Sequence, residues 1–287
     1  MIPQSFDYHA PGNVRDVVNL LAQYGSDAKL LAGGHSLLPM MKLRFAQPAH
    51  LIDLNRIQEL RGIRDDAGMI RIGAMTVERD LLDSGLLAEK LPLLPEAVRQ
   101  IADPQVRNRG TLGGDLAHGD PGNDHPAVAI AVDATFVLDG PRGQRKVKAE
   151  DFYHGLFMTE LAADEILVEI QAAAMPKGTG WAYEKLKRKV GDWATAAAAV
   201  VLRLDAGKVA GVRIALTNVA ATPLRAVEAE QALLGKPLDE TTLAEAMAKV
   251  EAICDPAEDL RGDAEYKTAM AGQMTRRALL KAAARCR

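Results

Sequence analysis

Two adjacent glycine pairs, Gly33-Gly34 and Gly113-Gly114, each follow an apolar residue and precede a polar one. Without a Cβ, consecutive backbone amides can turn toward an anion and a diphosphate can approach closely, so each pair is a candidate phosphate cradle. A lone pair is more often an ordinary turn; two in matching contexts strengthen the functional reading. The standard nucleotide fingerprints are missing. No G-x-G-x-x-G opens a strand–helix unit and no Gly-Lys-Ser/Thr closes a phosphate loop, which disfavours Rossmann and P-loop folds. Gly34-His35-Ser36 matches a hydrolase nucleophile turn at three positions, but Leu38 stands where that turn needs a second small residue. Ser36 therefore reads as a hydrogen-bond donor or helix cap.

His118, Asp120, Asp124 and His125 place imidazoles and carboxylates close together. The Gly/Pro-rich stretch from Gly119 to Pro126 reads as a loop, lacks helical i, i+4 pairing and matches no standard metal spacing, so ribose hydrogen bonding is the better functional reading and a solvated turn the bland one. The run Lys185-Leu186-Lys187-Arg188-Lys189 is by default a solvated face. Tyr183 and Trp193 flank it, and aromatics beside cations can also line a flavin or an electron-transfer contact. The residues alone leave both readings open.

The elements that must position these groups come from the pattern around them. Ser5 to Tyr8 reads as extended, Val14 to Tyr24 as a helix stopped by Gly25, and Lys29 to Leu31 as a strand entering the first glycine pair. A helix through Met40 and Met41 and a strand over His50 to Leu54 follow. Short alternating segments at Ile70-Arg71-Ile72 and Thr135 to Leu138, with a helix around Pro95 to Ile101, give an α+β texture. The strand Glu165 to Ile170 precedes a Pro/Gly cluster, Met175 to Gly180, that marks a domain boundary. Beyond it, Ala194 to Leu204 and Lys208 to Asn218 read as adjacent strands, with helices from Leu224 to Cys286.

The chain has 287 residues, 48% hydrophobic and 25% charged, the balance of a soluble globular protein of about two domains. A net charge of −3 offers no positive field to collect nucleic acid. Cys254 and Cys286 lack any paired spacing for zinc or an iron–sulfur cluster. Two thiols and an N-terminus without a signal-peptide pattern predict a cytoplasmic protein. The longest apolar stretch, Ala194 to Leu202, falls well short of the ~20 residues that span a bilayer.

In a chain of this size, Ala32-Gly33-Gly34-His35-Ser36 together with Thr111-Leu112-Gly113-Gly114-Asp115 resembles the FAD-binding medium subunit of molybdenum hydroxylases, along essentially the whole length. Ala102 to Arg107, Gly119 to Asp124 and Tyr183 to Lys189 make it most similar, within that family, to the medium subunits of aerobic carbon monoxide dehydrogenases. The resemblance implies an α+β fold of the vanillyl-alcohol oxidase / CO dehydrogenase flavoprotein type. FAD would lie between an N-terminal region, 1–177, built of subdomains of about 1–55 and 56–177, and a smaller C-terminal α+β domain, 178–287.

Carried over by position, the resemblance implies cofactor contacts from Leu30, Leu31, Ala32, Gly33, Gly34, His35, Ser36 and Leu37, from Ile101 and Ala102, and from Thr111, Gly113, Gly114 and Asp115. Asp124 falls beside the adenosine part, Leu161 and Lys185 near the flavin, and Trp193 at an aromatic position by the ring. Asp115 departs from the Asn common in the second loop. The implied chain binds FAD non-covalently and carries no catalytic acid–base residue and no metal. It accepts electrons from a small [2Fe–2S] subunit served by a large molybdenum subunit, in a dimer of heterotrimers, and passes them to an acceptor such as quinone. A peripheral contact with the membrane quinone pool, at the inner face of the cytoplasmic membrane, is part of that expectation. A flavin subunit for an N-heterocycle or aldehyde hydroxylase, or a self-standing NAD(P)H-dependent flavin reductase, are the alternatives; no nicotinamide motif supports the last.

Overall fold

A computed structural model describes residues 2–286. The chain opens with β1 (Asp7–His9), α1 (Val14–Tyr24), β2 (Ala28–Leu31), α2 (Leu37–Lys42) and β3 (His50–Asp53), and the strands form a parallel sheet in the order β1-β3-β2. Asn13 caps α1 by accepting the Asp16 amide at 2.9 Å, and the periodic Val17, Val18 and Leu21 are buried. Gly25, at φ +53°, ends the helix. The first strand is Asp7–His9 rather than Ser5 to Tyr8, because it pairs only where His50–Ile52 of β3 lie alongside.

The middle of the chain adds β4 (Ile63–Asp66), β5 (Met69–Gly73), α3 (Glu78–Asp83), α4 (Gly85–Lys90), α5 (Leu93–Val98), α6 (Pro104–Arg107), α7 (Leu112–His118) and α8 (Asp124–Ala131). It continues with β6 (Thr135–Gly140), β7 (Gly143–Lys148), the small hairpin β8 (Tyr153–Gly155) and β9 (Met158–Thr159), and β10 (Ile166–Ala173). A five-stranded antiparallel sheet runs β4-β5-β10-β6-β7, with the largely buried β10 at its centre. Two core clusters flank it: one joins Val137, Ile166 and Val168 to Val17, Leu21 and Ile52, and the other joins Phe136 and Ile170 to α5 and α8. The helix near Pro95 ends at Val98, short of the sequence expectation of Ile101.

The remainder forms β11 (Gly180–Leu186), β12 (Ala196–Asp205), β13 (Lys208–Thr217) and β14 (Leu224–Arg225), one antiparallel sheet, then α9 (Val227–Leu233), α10 (Glu240–Ala252) and α11 (Ala264–Ala283). The helical tail therefore starts after a short edge strand at Leu224, not at Leu224 itself. The small side chains of Ala196 and Ala198 face the helical layer, and a Cβ on Gly180 would lie 1.9 Å from the Ala282 carbonyl, so α11 rests directly on the sheet. Glu96 of α5 ties this layer to the middle of the chain: it accepts from Trp181 Nε1 at 3.2 Å and Arg285 Nη1 at 2.6 Å, and pairs with Lys281 at 3.0 Å. Among the described residues, no helix is long and apolar enough to cross a membrane.

Candidate functional site

A cleft of about 710 Å³ opens between the parallel βα unit, the α6–α8 segment and the turn before β12, within the range of small-molecule and cofactor sites. The first glycine pair lies between β2 and α2. Gly34 sits at φ +79°, a conformation that disfavours any Cβ. The backbone N–H groups of Gly33, Gly34, His35 and Ser36 have no acceptor among the described residues. Because backbone donors in folded proteins are nearly always paired, a run of free amides at the mouth of a cleft is suited to an oxyanion such as phosphate. Ser36 takes the cap position of α2, yet its side chain accepts no helix amide, so the expected capping bond is absent.

The second pair works differently. Gly113 and Gly114 lie in the first turn of α7, whose amides are already paired: Gly113 N–H donates to Ala74 O at 2.8 Å, Gly114 N–H to Thr111 Oγ1 at 3.2 Å and Asp115 N–H to Thr111 O at 3.0 Å. Their missing Cβ atoms serve close packing. A Cβ on Gly113 would lie 2.5 Å from Ala74 Cβ, and one on Gly114 would lie 2.7 Å from Thr111 Oγ1 and 3.2 Å from Ala32 Cβ. A Cβ on Gly33 would in turn lie 2.3 Å from Arg109 O. The two glycine segments thus seal the floor of the cleft against each other, and the first supplies the free donors.

Ile101 and Ala102 form another wall. Ala102 is held at φ +41°, an uncommon conformation for a residue with a Cβ. Cations fix the segment: Arg107 donates to Ile101 O at 2.6 Å, and Lys187 and Lys185 to Gln100 O at 3.1 and 3.4 Å. Burial, and then the neighbouring Lys185, push Lys187 below the ordinary lysine pKa.

Asp124 lies in helix α8, so the reading of Gly119 to Pro126 as one loop is corrected. Pro126 occupies the third helical position, where its missing N–H costs no hydrogen bond. The Asp124 carboxylate accepts from the Tyr183 hydroxyl and pairs with Lys185 Nζ at 2.7 Å, with the side chains 6% and 1% exposed. Alternation along β11 puts Tyr183 and Lys185 on one face, which explains why both reach Asp124. Lys185 is therefore no part of a solvated face. Burial, with the Asp124 charge beside it, keeps the Tyr183 hydroxyl protonated well above its usual range.

All the cofactor positions expected from the sequence line this cleft except Leu31 and Lys185. Leu31 stands at the end of β2, and Lys185 lies behind Asp124. The four residues weighed as a metal set do not converge. The His118 ring packs on Phe157 with centroids 5.0 Å apart, Asp120 accepts the Gly122 amide at 2.8 Å, and Asp124 faces Lys185. His125 instead joins Glu78 and Asp115, which sequence reasoning passed over as a group: Nδ1 lies 3.0 Å from Asp115 Oδ2 and Nε2 lies 3.3 Å from Glu78 Oε2. Their potential ligand atoms fall within 4.8 Å of one another. With a carboxylate facing each ring nitrogen, the arrangement is that of a bridged imidazolium, which has no nitrogen lone pair to give a metal.

At the open end, Trp193 is 51% exposed, its ring lies under the Arg261 guanidinium, and Gly122 leaves the space its edge occupies. The turn carrying it is clamped by Asp192, which pairs with Arg188 at 2.9 Å and Arg261 at 3.0 Å. Although burial opposes its charge, those two guanidiniums hold the Asp192 carboxyl below its ordinary value. Phe157, at φ +57° and 50% exposed, completes the aromatic rim.

Residues 4–172 match the FAD binding domain in molybdopterin dehydrogenase, and residues 181–282 match the CO dehydrogenase flavoprotein C-terminal domain. The chain belongs to this flavoprotein family. It is 63% identical over 286 residues to the carbon monoxide dehydrogenase medium chain of Hydrogenophaga pseudoflava, covering 100% of both chains. The medium chain from Afipia carboxidovorans is 52% identical over 287 residues, again with 100% of both covered. A solved Hydrogenophaga pseudoflava carbon monoxide dehydrogenase lacking the Mo-pyranopterin moiety superposes with a TM-score of 0.99 at 65% identity, with full coverage of both chains. The family assignment makes the chain an oxidoreductase flavoprotein subunit with an FAD-binding domain. It also agrees with the α+β fold expected from the sequence.

Proposed function

We propose that this chain is the flavoprotein subunit of a molybdenum-containing aerobic CO dehydrogenase, holding one FAD non-covalently between 1–177 and 178–287. One observation carries the binding part: the four free amides from Gly33 to Ser36 open into a cleft whose floor is closed by glycine packing. Those amides would hold the diphosphate, and Asp124, fixed by Lys185 and Tyr183, would border the adenosine part. Bound FAD supplies the ability to gather electrons singly and release them in pairs. The chain's own part is placement: Ala102, Leu161 and Trp193 enclose the cleft's far end and limit its water, and the Asp192 clamp fixes Trp193. His35 is exposed beside the free amides and carries no linkage in this reading.

Electrons would arrive from a small [2Fe–2S] subunit and a large molybdenum subunit, since the two cysteines here are separate, free and part-buried. The assembly would be a dimer of heterotrimers in the cytoplasm, with quinone as acceptor. The test has two arms. Acid precipitation should leave yellow FAD in the supernatant. CO should reduce a dye only when the FAD-loaded chain is combined with both partner subunits; turnover by this chain alone would overturn the relay reading.

A further inference from the structure

Glu78, His125 and Asp115 form a row across the floor of the cleft. Glu78 begins α3 beside the second glycine segment, its amide donating to Gly110 O at 2.9 Å, and Asp115 lies in the first turn of α7. Glu78 and Asp115 both line the cleft, while His125, fully buried, lies between their carboxyls. Glu78 Oε2 and His125 Nε2 have no other hydrogen-bond partner, so these two buried atoms answer only to each other. Nothing in the cofactor-binding reading uses His125 or Glu78. Yet two carboxylates at the wall of a site that must receive a diphosphate dianion would oppose binding unless their charge is cancelled.

We propose that this row is a proton-holding counter-charge: the His125 imidazolium offsets Asp115, and Glu78 takes up a proton as the cofactor's diphosphate enters. The inference rests on the reading of the cleft as an FAD site. Burial raises the Glu78 carboxyl to about 7, with Asp115 and Asp124 adding to the effect. Burial works against the His125 cation, but Glu78 and Asp115 outweigh it and lift the ring to about 9. The ring therefore keeps its proton near neutrality, and Glu78, with its carboxyl raised by burial, is the group onto which an added negative charge draws a proton. The other groups facing the row are Arg107 of α6, Asp124 of α8 with its partner Lys185 of β11, Tyr183, and Tyr153 of β8. Burial keeps both tyrosine hydroxyls protonated well above the ordinary range.

The experiment titrates FAD calorimetrically into the full-length chain freed of flavin, from pH 6 to 9, in buffers of different ionisation enthalpy. The wild-type chain should take up about half to three-quarters of a proton near pH 7.5, and its affinity should weaken by up to about tenfold per pH unit above 7. Glu78→Gln should abolish the uptake and flatten the pH profile. His125→Gln should weaken binding about tenfold or more at pH 7 by leaving the Asp115 charge unopposed, and adding Asp115→Asn to it should recover most of that loss. If His125→Gln does not fold, Glu78→Gln alone decides. Tight wild-type binding without proton uptake, or equal uptake in Glu78→Gln, overturns the counter-charge. Failure of the wild-type chain to bind FAD at any pH would instead overturn the site assignment beneath it.

Discussion

Replacing Lys185 by Met removes one partner of an ion pair that is almost wholly buried, with side chains 1% and 6% exposed and Nζ 2.7 Å from the Asp124 carboxylate. The remaining carboxylate keeps only the Tyr183 hydroxyl. An isolated buried charge of this kind costs about 3–5 kcal/mol, far more than a surface pair, whose removal costs about 1 kcal/mol or less. Asp124→Asn should be costly for the converse reason: Lys185 would lose its carboxylate and be left with neutral acceptors, the amide oxygen of the new side chain and the Gln100 carbonyl at 3.4 Å, which Lys187 also uses. The double variant buries no unpaired charge, so its loss should fall short of the summed single losses by about 2 kcal/mol. Urea unfolding of the three variants and the parent, with flavin retention measured alongside, gives the cycle. Single losses under 1 kcal/mol, or strict additivity, would show that the pair is solvated and that the reasoning from burial is wrong.

Gly34→Ala should lose roughly 1–2 kcal/mol from its φ of +79° and release flavin, because the strained turn carries the free amides; thermal melting and bound-flavin absorbance measure both. Thr111→Val removes the acceptor for the Gly114 amide and should cost about 1 kcal/mol in urea unfolding. The His125 ring, lifted to about 9 when folded, contributes stability that is complete below its ordinary value near 6.5 and fades as pH rises through 9. The gap in stability between the parent and His125→Gln should therefore shrink by about 3 kcal/mol across that window, measured by denaturation at stepped pH.

What could be read from sequence followed the range of the interactions. The glycine pairs, α1 and the β12–β13 hairpin depend on neighbours in the chain, and their positions were legible. Asp124 was legible as a polar cleft residue but not as a helix start, since a Gly/Pro-rich stretch looks like a loop until Pro126 falls in a first turn. The Lys185 run stayed ambiguous in sequence, because a charge run defaults to solvent and only β11 alternation turns one lysine inward beside Tyr183. The Glu78–His125–Asp115 row left only faint traces, an Asp after the second glycine pair and a His ten residues later. Glu78, 37 residues before Asp115, joins them through the long-range bridge of Val77 to Thr111 and the Glu78 amide's bond to Gly110 O at 2.9 Å. The glycine pairs were also credited with making room for a ligand, when Gly33, Gly113 and Gly114 first make room for the protein's own backbone and caps.

That interlocking bears on how a cofactor gets in and out. With the Arg109 carbonyl oxygen 2.3 Å from a hypothetical Gly33 Cβ, the two halves of the floor pack backbone against backbone and leave no slack for a hinge. Traffic is then confined to the rim, where Trp193 and Phe157 stand half-exposed and the Asp192 clamp holds one bank in place. Exchange becomes a matter of side-chain and turn motion at the mouth. The clamp, where one carboxylate holds Arg188 and Arg261, thus lies at the mouth, while the free amides lie at the floor.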